Sequence, residues 1–333
     1  MEKKFDLKKI TGSREMSLVI VLIILCVFVQ FRNSTFLTPK TMESMFKNYA
    51  FIMILALGMM CVLLIGGIDI AIGSTLGFAG MSASLMMRDH PGLPVIIIFL
   101  ISILIGAVCG LIIGLIVSLG KVPPIIATLG GQYIFRGLAY LVADNQWVAA
   151  YQFSNGYKDF AQKNYLGFGL INNLIVIIAV VYIIFFVFLK WTRAGRKIYA
   201  VGSNAEAAKV SGIKINRVKI MCYTIMGVLC GLSGAIYTSL YASAQGDMGT
   251  GFEMDVIAAC VVGGVSLNGG RGSVPGVFLG GLTMAIVGKA LPLIGVSQFW
   301  QTAIKGLIII VAVILNVAAQ RVMDKNNLKR REI

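Results

Sequence analysis

Ten apolar runs, most of them close to the length of a membrane-spanning helix, divide the 333-residue chain. A helix that crosses the hydrocarbon core of a bilayer needs roughly 20 mostly apolar residues. The runs cover residues 16–31, 50–66, 72–87, 93–119, 123–142, 173–190, 219–241, 255–267, 274–290 and 299–319. The run 255–267 is short enough to enter and leave the membrane on one side. The sequence therefore predicts eight to ten transmembrane helices.

The composition agrees with a protein surrounded by lipid. Apolar residues make up 58% of the chain and charged residues 13%, against about 45–50% and about 25% in soluble domains. The mean hydropathy is +0.87. A soluble core of this size cannot hide so much apolar surface, which excludes a soluble enzyme, a disordered chain and a secreted disulfide scaffold. The predicted fold class is all-α, a polytopic membrane helix bundle.

The basic residues indicate the orientation of the chain. With ten spans and the N-terminus inside, twenty of the 29 Lys and Arg residues fall in inside segments and seven in outside segments. Cytoplasmic loops carry such an excess, so we expect both termini to be cytoplasmic. The predicted layout is a basic N-terminal tail (1–15), a transmembrane domain (16–319) with a cytoplasmic loop at 191–218, and a basic C-terminal tail (320–333). Because topology accounts for the charge, no nucleic-acid partner is expected.

The sequence lacks the motifs of the common catalytic and metal sites. It contains no GxxxxGK[ST] phosphate loop, no GxSxG nucleophile turn and no HExxH zinc motif. The six cysteines lie singly inside apolar runs, and His90 is the only histidine. A metal site needs several convergent ligands, so neither a metal nor a redox pair is expected. We predict a chain that is not an enzyme and holds no cofactor of its own.

Few ionisable residues lie inside the predicted spans. Arg136 and Lys305 do, while Asp69 and Asp255 lie at span edges. Charge inside a bilayer is costly and is usually paired or functional. Carriers driven by an ion gradient usually place a carboxylate deep in a span, and the absence of one here disfavours that class. Candidates for the solute pathway, with helix–helix hydrogen bonding as their alternative role, are Thr128, Gln132, Arg136, Asn268 and Gln301.

Glycines recur at four-residue spacing, which allows close approach of helix backbones in lipid. Examples are Gly106, Gly110 and Gly114 in one run and Gly227 and Gly231 in another. Two internal similarities suggest weakly related halves, as in many transporters. One pairs residues 66–74 with 263–273, and the other pairs Phe135-Arg136-Gly137-Leu138 with Ile304-Lys305-Gly306-Leu307. The intervals within the two halves differ, so chance similarity is a competing explanation.

The inside loop 191–218 contains a short predicted helix. Asn204 is a favourable N-cap, residues 205–210 are good helix formers, and Gly212 is a favourable stop. Ala207, Ala208 and Ser211 would give this helix a small-residue face that suits docking into a groove of another protein. The alternative is a plain basic loop fixed by topology.

Four segments resemble one transporter family. They are GGIDIAIGS (66–74), PPIIATLGGQYIFRGLAYL (123–141), GRKIYAVGSNAEAAKVSGI (195–213) and FEMDVIAACVVGGVSLNGGRGSVPG (252–276). Together they resemble the permease subunits of ribose-type ATP-binding-cassette importers, over about residues 15–320, with rhamnose and autoinducer-2 members included. By this resemblance the residues that couple to the ATPase are Gly202, Asn204, Glu206, Ala207, Ala208, Ser211 and Gly212.

The resemblance implies a function and a set of partners. The chain would translocate a monosaccharide or a similar small polar solute across the bacterial cytoplasmic membrane, as a multi-pass protein. A separate ATPase subunit would use ATP and Mg²⁺, and a periplasmic or lipid-anchored binding protein would deliver the sugar. A second permease copy, identical or related, would complete the membrane core. The alternative function is an ion-gradient-driven secondary carrier or channel for a small polar solute.

Overall fold

The computed structural model describes residues 14–163 and 172–329, which contain thirteen α-helices and no β-strand. The helices are α1 (Arg14–Arg32), α2 (Pro39–Leu64), α3 (Ile72–Asp89), α4 (Val95–Ser118), α5 (Pro124–Val142), α6 (Asn155–Gln162), α7 (Asn173–Trp191), α8 (Arg193–Ser203), α9 (Ala205–Val210), α10 (Ile215–Tyr241), α11 (Phe252–Val262), α12 (Val274–Leu293) and α13 (Gln298–Lys329). Most of the two predicted tails lies outside the described residues, although α13 continues past position 319.

Every predicted apolar run lies on a helix, which confirms an all-α polytopic membrane bundle. Six helices within the described residues are long and apolar enough to cross a membrane, namely α2, α4, α5, α7, α10 and α12. The described apolar parts of α1 and α13 are shorter, at Leu18–Arg32 and Gln298–Ile314. Helix α11, from the short run 255–267, has only 11 residues and spans about 16 Å, roughly half of the hydrocarbon core.

Helix α10 lies at the centre of the bundle and packs most closely against α4. The two helices are antiparallel: Gly110 lies beside Gly227, and near the cytoplasmic end Ser118 Oγ donates to the Asn216 carbonyl at 3.0 Å. A methyl group on Gly227 would overlap the Gly106 carbonyl oxygen. The glycine spacing therefore has the predicted effect, because it brings two backbones into contact.

The same arrangement recurs between α11 and α12. A methyl group on Gly276 would overlap the Gly263 carbonyl oxygen, and one on Gly280 would overlap the Ala259 carbonyl oxygen. Longer side chains fix the neighbouring helices by hydrogen bonds to backbone. For example, the Tyr182 hydroxyl of α7 donates to the Met53 carbonyl of α2 at 3.0 Å.

The bundle has two related halves, α2–α5 and α10–α13, in which helices in corresponding positions make corresponding contacts. The contact of α10 with α4 has its counterpart in that of α2 with α12, and the contact of α3 with α5 in that of α11 with α13. Helices α2 and α10 run antiparallel, because Phe51 contacts Tyr237 while Gly58 contacts Met226. The halves are therefore inverted relative to each other.

This pairing supports one of the two internal similarities and contradicts the other. Arg136 on α5 and Lys305 on α13 lie on equivalent helices. The similarity of 66–74 to 263–273 instead matches the α2–α3 turn with the α11–α12 turn, which belong to non-equivalent helix pairs. In both turns a glycine with positive φ follows the end of a helix, Gly66 after α2 and Gly264 after α11. This shared local geometry accounts for the similarity of the two sequences.

Candidate functional site

The loop after α7 folds into two short helices, each with a side-chain cap. Thr192 Oγ1 accepts a hydrogen bond from the Gly195 amide at the start of α8, at 3.0 Å. Asn204 Oδ1 accepts one from the Ala207 amide at the start of α9, also at 3.0 Å. After α9, Gly212 has a φ of +80°, a conformation that favours glycine. The predicted cap, helix and stop are all confirmed.

Helix α8 is attached firmly to the membrane bundle. Ile198 and Val201 are buried, and a methyl group on Gly202 would overlap the Leu64 carbonyl oxygen at the end of α2. The Tyr199 hydroxyl donates to the Gly272 carbonyl at 2.9 Å. Burial raises the pKa of Tyr199 to about 12, so the phenol keeps its proton and remains a donor. Helix α8 is therefore in direct contact with the end of α2 and with the α11–α12 turn.

Helix α9 presents an exposed surface that agrees with the predicted small-residue face at Ala207 and Ser211. Ala208 differs, because its side chain is only 4% exposed and faces the bundle. Gly202 is half-buried against α2. Val210 is 89% exposed and was not predicted. The accessible residues of this coupling surface, as we call it, are Asn204, Glu206, Ala207, Val210, Ser211 and Gly212.

On the opposite side of the membrane, residues 243–251 form a re-entrant segment between α10 and α11. Its outer end pairs with the loop after α5, through two backbone hydrogen bonds of 3.0 and 3.1 Å between Ala244 and Val148. Deeper in, Arg136 Nη1 donates to the Gly246 and Met248 carbonyls, at 2.7 Å each. Arg136 lies six residues, or about 9 Å, before the outer end of α5, so the segment enters the bundle to at least about that depth.

Two helix starts meet at the bottom of this segment. A methyl group on Gly73, in the first turn of α3, would overlap the Gly249 carbonyl oxygen just before α11. The backbone reaches α11 through Gly251, whose φ is +85°. Before α3, Asp69 Oδ1 accepts from the Ala71 amide at 2.9 Å. The N-termini of α3 and α11, equivalent helices of the two halves, thus converge at the midplane, as interrupted helices do in many transporters.

A cavity of about 460 Å³ opens beside the re-entrant segment. Aromatic rings form one side: Tyr237 and Tyr241 lie 4.6 Å apart between ring centroids, and Phe252 stacks on Phe51 at 4.9 Å. The re-entrant segment forms the other side with polar groups, including Gln245 and Asp247. The cavity therefore combines apolar ring faces with hydrogen-bonding side chains.

The sequence comparisons identify the family. Residues 42–313 match the family described as "Branched-chain amino acid transport system / permease component". The chain belongs to this family. It is 37% identical to the ribose import permease protein of Bacillus subtilis, over 89% of this chain and 90% of that protein. No solved structure shows significant similarity to it.

Two further relatives of this permease differ in their named substrates. The galactose/methyl galactoside import permease protein of Escherichia coli is 33% identical over 92% of this chain and 95% of that protein. The autoinducer 2 import system permease protein of Salmonella typhi is 30% identical over 96% of this chain and 90% of that protein. These matches extend over nearly the whole length of this chain and of each relative, so the similar region includes the coupling surface and the cavity.

The five predicted pathway residues of the permease do not come together. Only Arg136 contacts the re-entrant segment. Thr128 Oγ1 donates within its own helix to the Pro124 carbonyl at 2.9 Å, and Gln301 Nε2 donates to the nearby Val296 carbonyl at 2.8 Å. Asn268 is exposed in the turn that contacts Gly66, at the cytoplasmic end. Gln132 lies half-buried on α5, one turn from Arg136.

Sequence reasoning missed the polar residues of the cavity. Gln245, Asp247 and Thr250 lie in the stretch AQGDMGTG between two apolar runs, which resembles an ordinary outside loop. The short apolar run 255–267, which follows this stretch, could have distinguished it from an ordinary loop. A helix of half the usual length that ends at the membrane surface must begin in the middle of the membrane. The second cation inside a predicted span, the half-buried Lys305, pairs with Asp255 near that start, at 2.8 Å.

Proposed function

We propose that this permease is the membrane subunit of an ATP-driven importer for a monosaccharide or a similar small polar solute, in a bacterial cytoplasmic membrane. The observation that carries the proposal is the near full-length relationship to import permeases named for ribose and for galactose. The chain itself would not be an enzyme and would hold no cofactor. A separate ATPase subunit would bind ATP and Mg²⁺.

The coupling surface suits the ATPase partner. Helix α9 is short, capped at its N-terminus and exposed, and the side chain of Val210 projects from it into solvent within a mostly polar loop. A protruding apolar side chain with small neighbours fits a groove on another protein. Because α8 is fixed to Leu64 and to the Gly272 carbonyl, movement of the docked ATPase would reach both halves of the bundle.

The cavity suits delivery of solute from the other side. It lies on the side of the re-entrant segment that carries the outer loops, where a periplasmic or lipid-anchored binding protein would dock. We propose that ATP binding draws two permease copies, identical or related, into a state in which the cavity receives the solute. Hydrolysis then reverses the movement and releases the solute inside. Substrate choice rests mainly with the binding protein.

The test is reconstitution from the native host. The permease, purified gently with its partners, is placed in liposomes with the binding protein outside and ATP inside, and uptake of radiolabelled ribose and galactose is measured. We expect uptake that requires ATP and that stops when a non-hydrolysable ATP analogue replaces it. Uptake by this chain alone, driven by a proton or sodium gradient, would contradict the proposal and support a secondary carrier.

A further inference from the structure

We propose that the cavity beside the re-entrant segment is a transient binding site for the solute, built for the ring of a neutral sugar. The inference rests on the proposed function and adds a site to it. The groups that would hold the sugar are the rings of Tyr237, Tyr241 and Phe252 and the polar side chains of Gln245, Asp247 and Thr250.

The depth of the re-entrant segment requires water or protein beside it. Irregular backbone at membrane depth is tolerated only where it is buried in protein or lines a water-filled space. The inner face of the segment is buried, because the Gly246 and Met248 carbonyls bind Arg136 and Gly249 contacts Gly73. Its other face carries the exposed side chains of Asp247 and Thr250. That face therefore lines an aqueous space and not lipid.

The chemistry of the cavity matches a monosaccharide. A sugar ring has an apolar face of C–H groups and a rim of hydroxyls. Aromatic side chains supply flat apolar surface with little entropy cost. Carboxylate and amide oxygens accept hydrogen bonds from hydroxyls, and the amide of Gln245 also donates. The volume of about 460 Å³ lies within the range of about 300–1,000 Å³ typical of small-molecule sites.

The charge of the cavity favours a neutral ligand. Asp247 lines the cavity and forms no ion pair within 4 Å of any described cation. The nearest cation, the half-buried Arg136, donates its short hydrogen bonds to backbone carbonyls and interacts electrostatically with both Asp247 and Glu253. One cation therefore faces two carboxylates, and the remaining negative charge disfavours phosphate and carboxylate ligands, whereas the Asp247 carboxylate forms strong hydrogen bonds with sugar hydroxyls.

The first test compares transport by matched variants of the reconstituted complex. Asp247→Asn and Tyr241→Ala should each lower ATP-driven uptake of ribose or galactose by about tenfold, the effect of losing one charge-assisted hydrogen bond or a stacking surface. Co-purification of the ATPase subunit with each variant, in the amount found for the native chain, shows that the complex still assembles. The control is Asp144→Asn, the same chemical change at an exposed position in the outer loop with a φ of +47° that suits asparagine.

The second test measures access and occupancy directly. Asp247→Cys should react with a charged, membrane-impermeant thiol reagent, and saturating ribose or galactose should slow that reaction. Leu104→Cys, 65% exposed on the apolar helix α4, should stay unreactive because it faces lipid. The reaction of the native chain, whose only cysteine that is not buried is Cys26, gives the background.

The outcomes separate this inference from the proposed function. Normal sugar uptake by Asp247→Asn and Tyr241→Ala, or labelling of Asp247→Cys that sugar does not affect, would overturn the cavity assignment and leave the importer intact. Failure of the native complex to take up either sugar would overturn the proposed function, and the inference with it. Reduced uptake by variants that still assemble with the ATPase, together with protection by sugar, is the result we expect.

Discussion

Val210 is the residue at which docking can be tested with little effect on folding. It is 89% exposed, at the end of a helix whose cap is formed elsewhere, by Asn204. Val210→Asp should assemble normally in the membrane and lose at least about tenfold in ATP-driven uptake, because a charge would enter a desolvated groove. Val210→Ile keeps the apolar contact and is the matched control. Uptake at the native rate in the aspartate variant would contradict the docking role.

Ala208, two residues before Val210 and on the opposite side of α9, gives the contrasting result. Its side chain is 4% exposed, so Ala208→Asp places a carboxylate inside the loop and not on its surface. The expected outcome is a lower yield of folded protein, measured by gel filtration in detergent, before any question of coupling arises. A stable, correctly folded Ala208→Asp variant that fails only in ATPase binding would show instead that α9 faces the other way.

At the scale of single residues, the sequence predicted the helix cap and stop but not which side chains face inward. Asn204 and Gly212 could be assigned because capping and positive φ depend on neighbouring residues alone. Which face of α9 turns inward depends on α8 and α10, which are placed by the rest of the bundle. Asp247 was missed for the same reason, since the depth of a loop depends on the helices that surround it.

At the level of helices, the close glycine contact between α4 and α10 forms the centre of the bundle. Gly227→Leu should lower the free energy of unfolding by at least about 1–3 kcal/mol, because the added side chain meets the Gly106 carbonyl and the Gly110 backbone. Gly130→Leu on α5 is the matched control, since Gly130 is exposed and a Cβ there meets nothing within 4 Å. Thermal denaturation in detergent measures both. Equal stability of the two variants would refute the close contact.

Spacing could predict that these glycines pack, but not against which helix. The pattern of Gly106, Gly110 and Gly114 fits any backbone with a complementary smooth stripe. Gly227 and Gly231 provide it only because α10 runs antiparallel to α4 in this fold. Likewise, the similarity between the segments around Arg136 and Lys305 identified equivalent helices. The similarity between the two glycine-rich turns reflected only the positive φ that each turn needs after a helix.

At the level of the whole molecule, the inverted halves explain why α3 and α11 are interrupted where they are. Inversion places the start of one helix opposite the start of its equivalent, so both N-termini reach the same depth from opposite sides. Local acceptors bind part of the backbone there: the Phe252 and Met254 amides donate to the Gly249 and Gly251 carbonyls, and the Ala71 amide donates to Asp69. Such an arrangement allows polar backbone at the midplane in both halves while the long helices α2 and α10 shield it.

The course of α10 across the bundle makes a prediction about sidedness. Lys158 on α6 is half-buried, with its ammonium group donating to the Ala150 carbonyl, and Lys209 on α9 is exposed. The bundle places them at opposite ends, because α6 packs near the end of α10 and α9 near its start. Lys158→Cys should react with an impermeant thiol reagent in intact spheroplasts, and Lys209→Cys only in inside-out vesicles. Reaction of both from the same side would contradict a membrane-spanning α10, and with it the placement of the cavity on the side opposite the coupling surface.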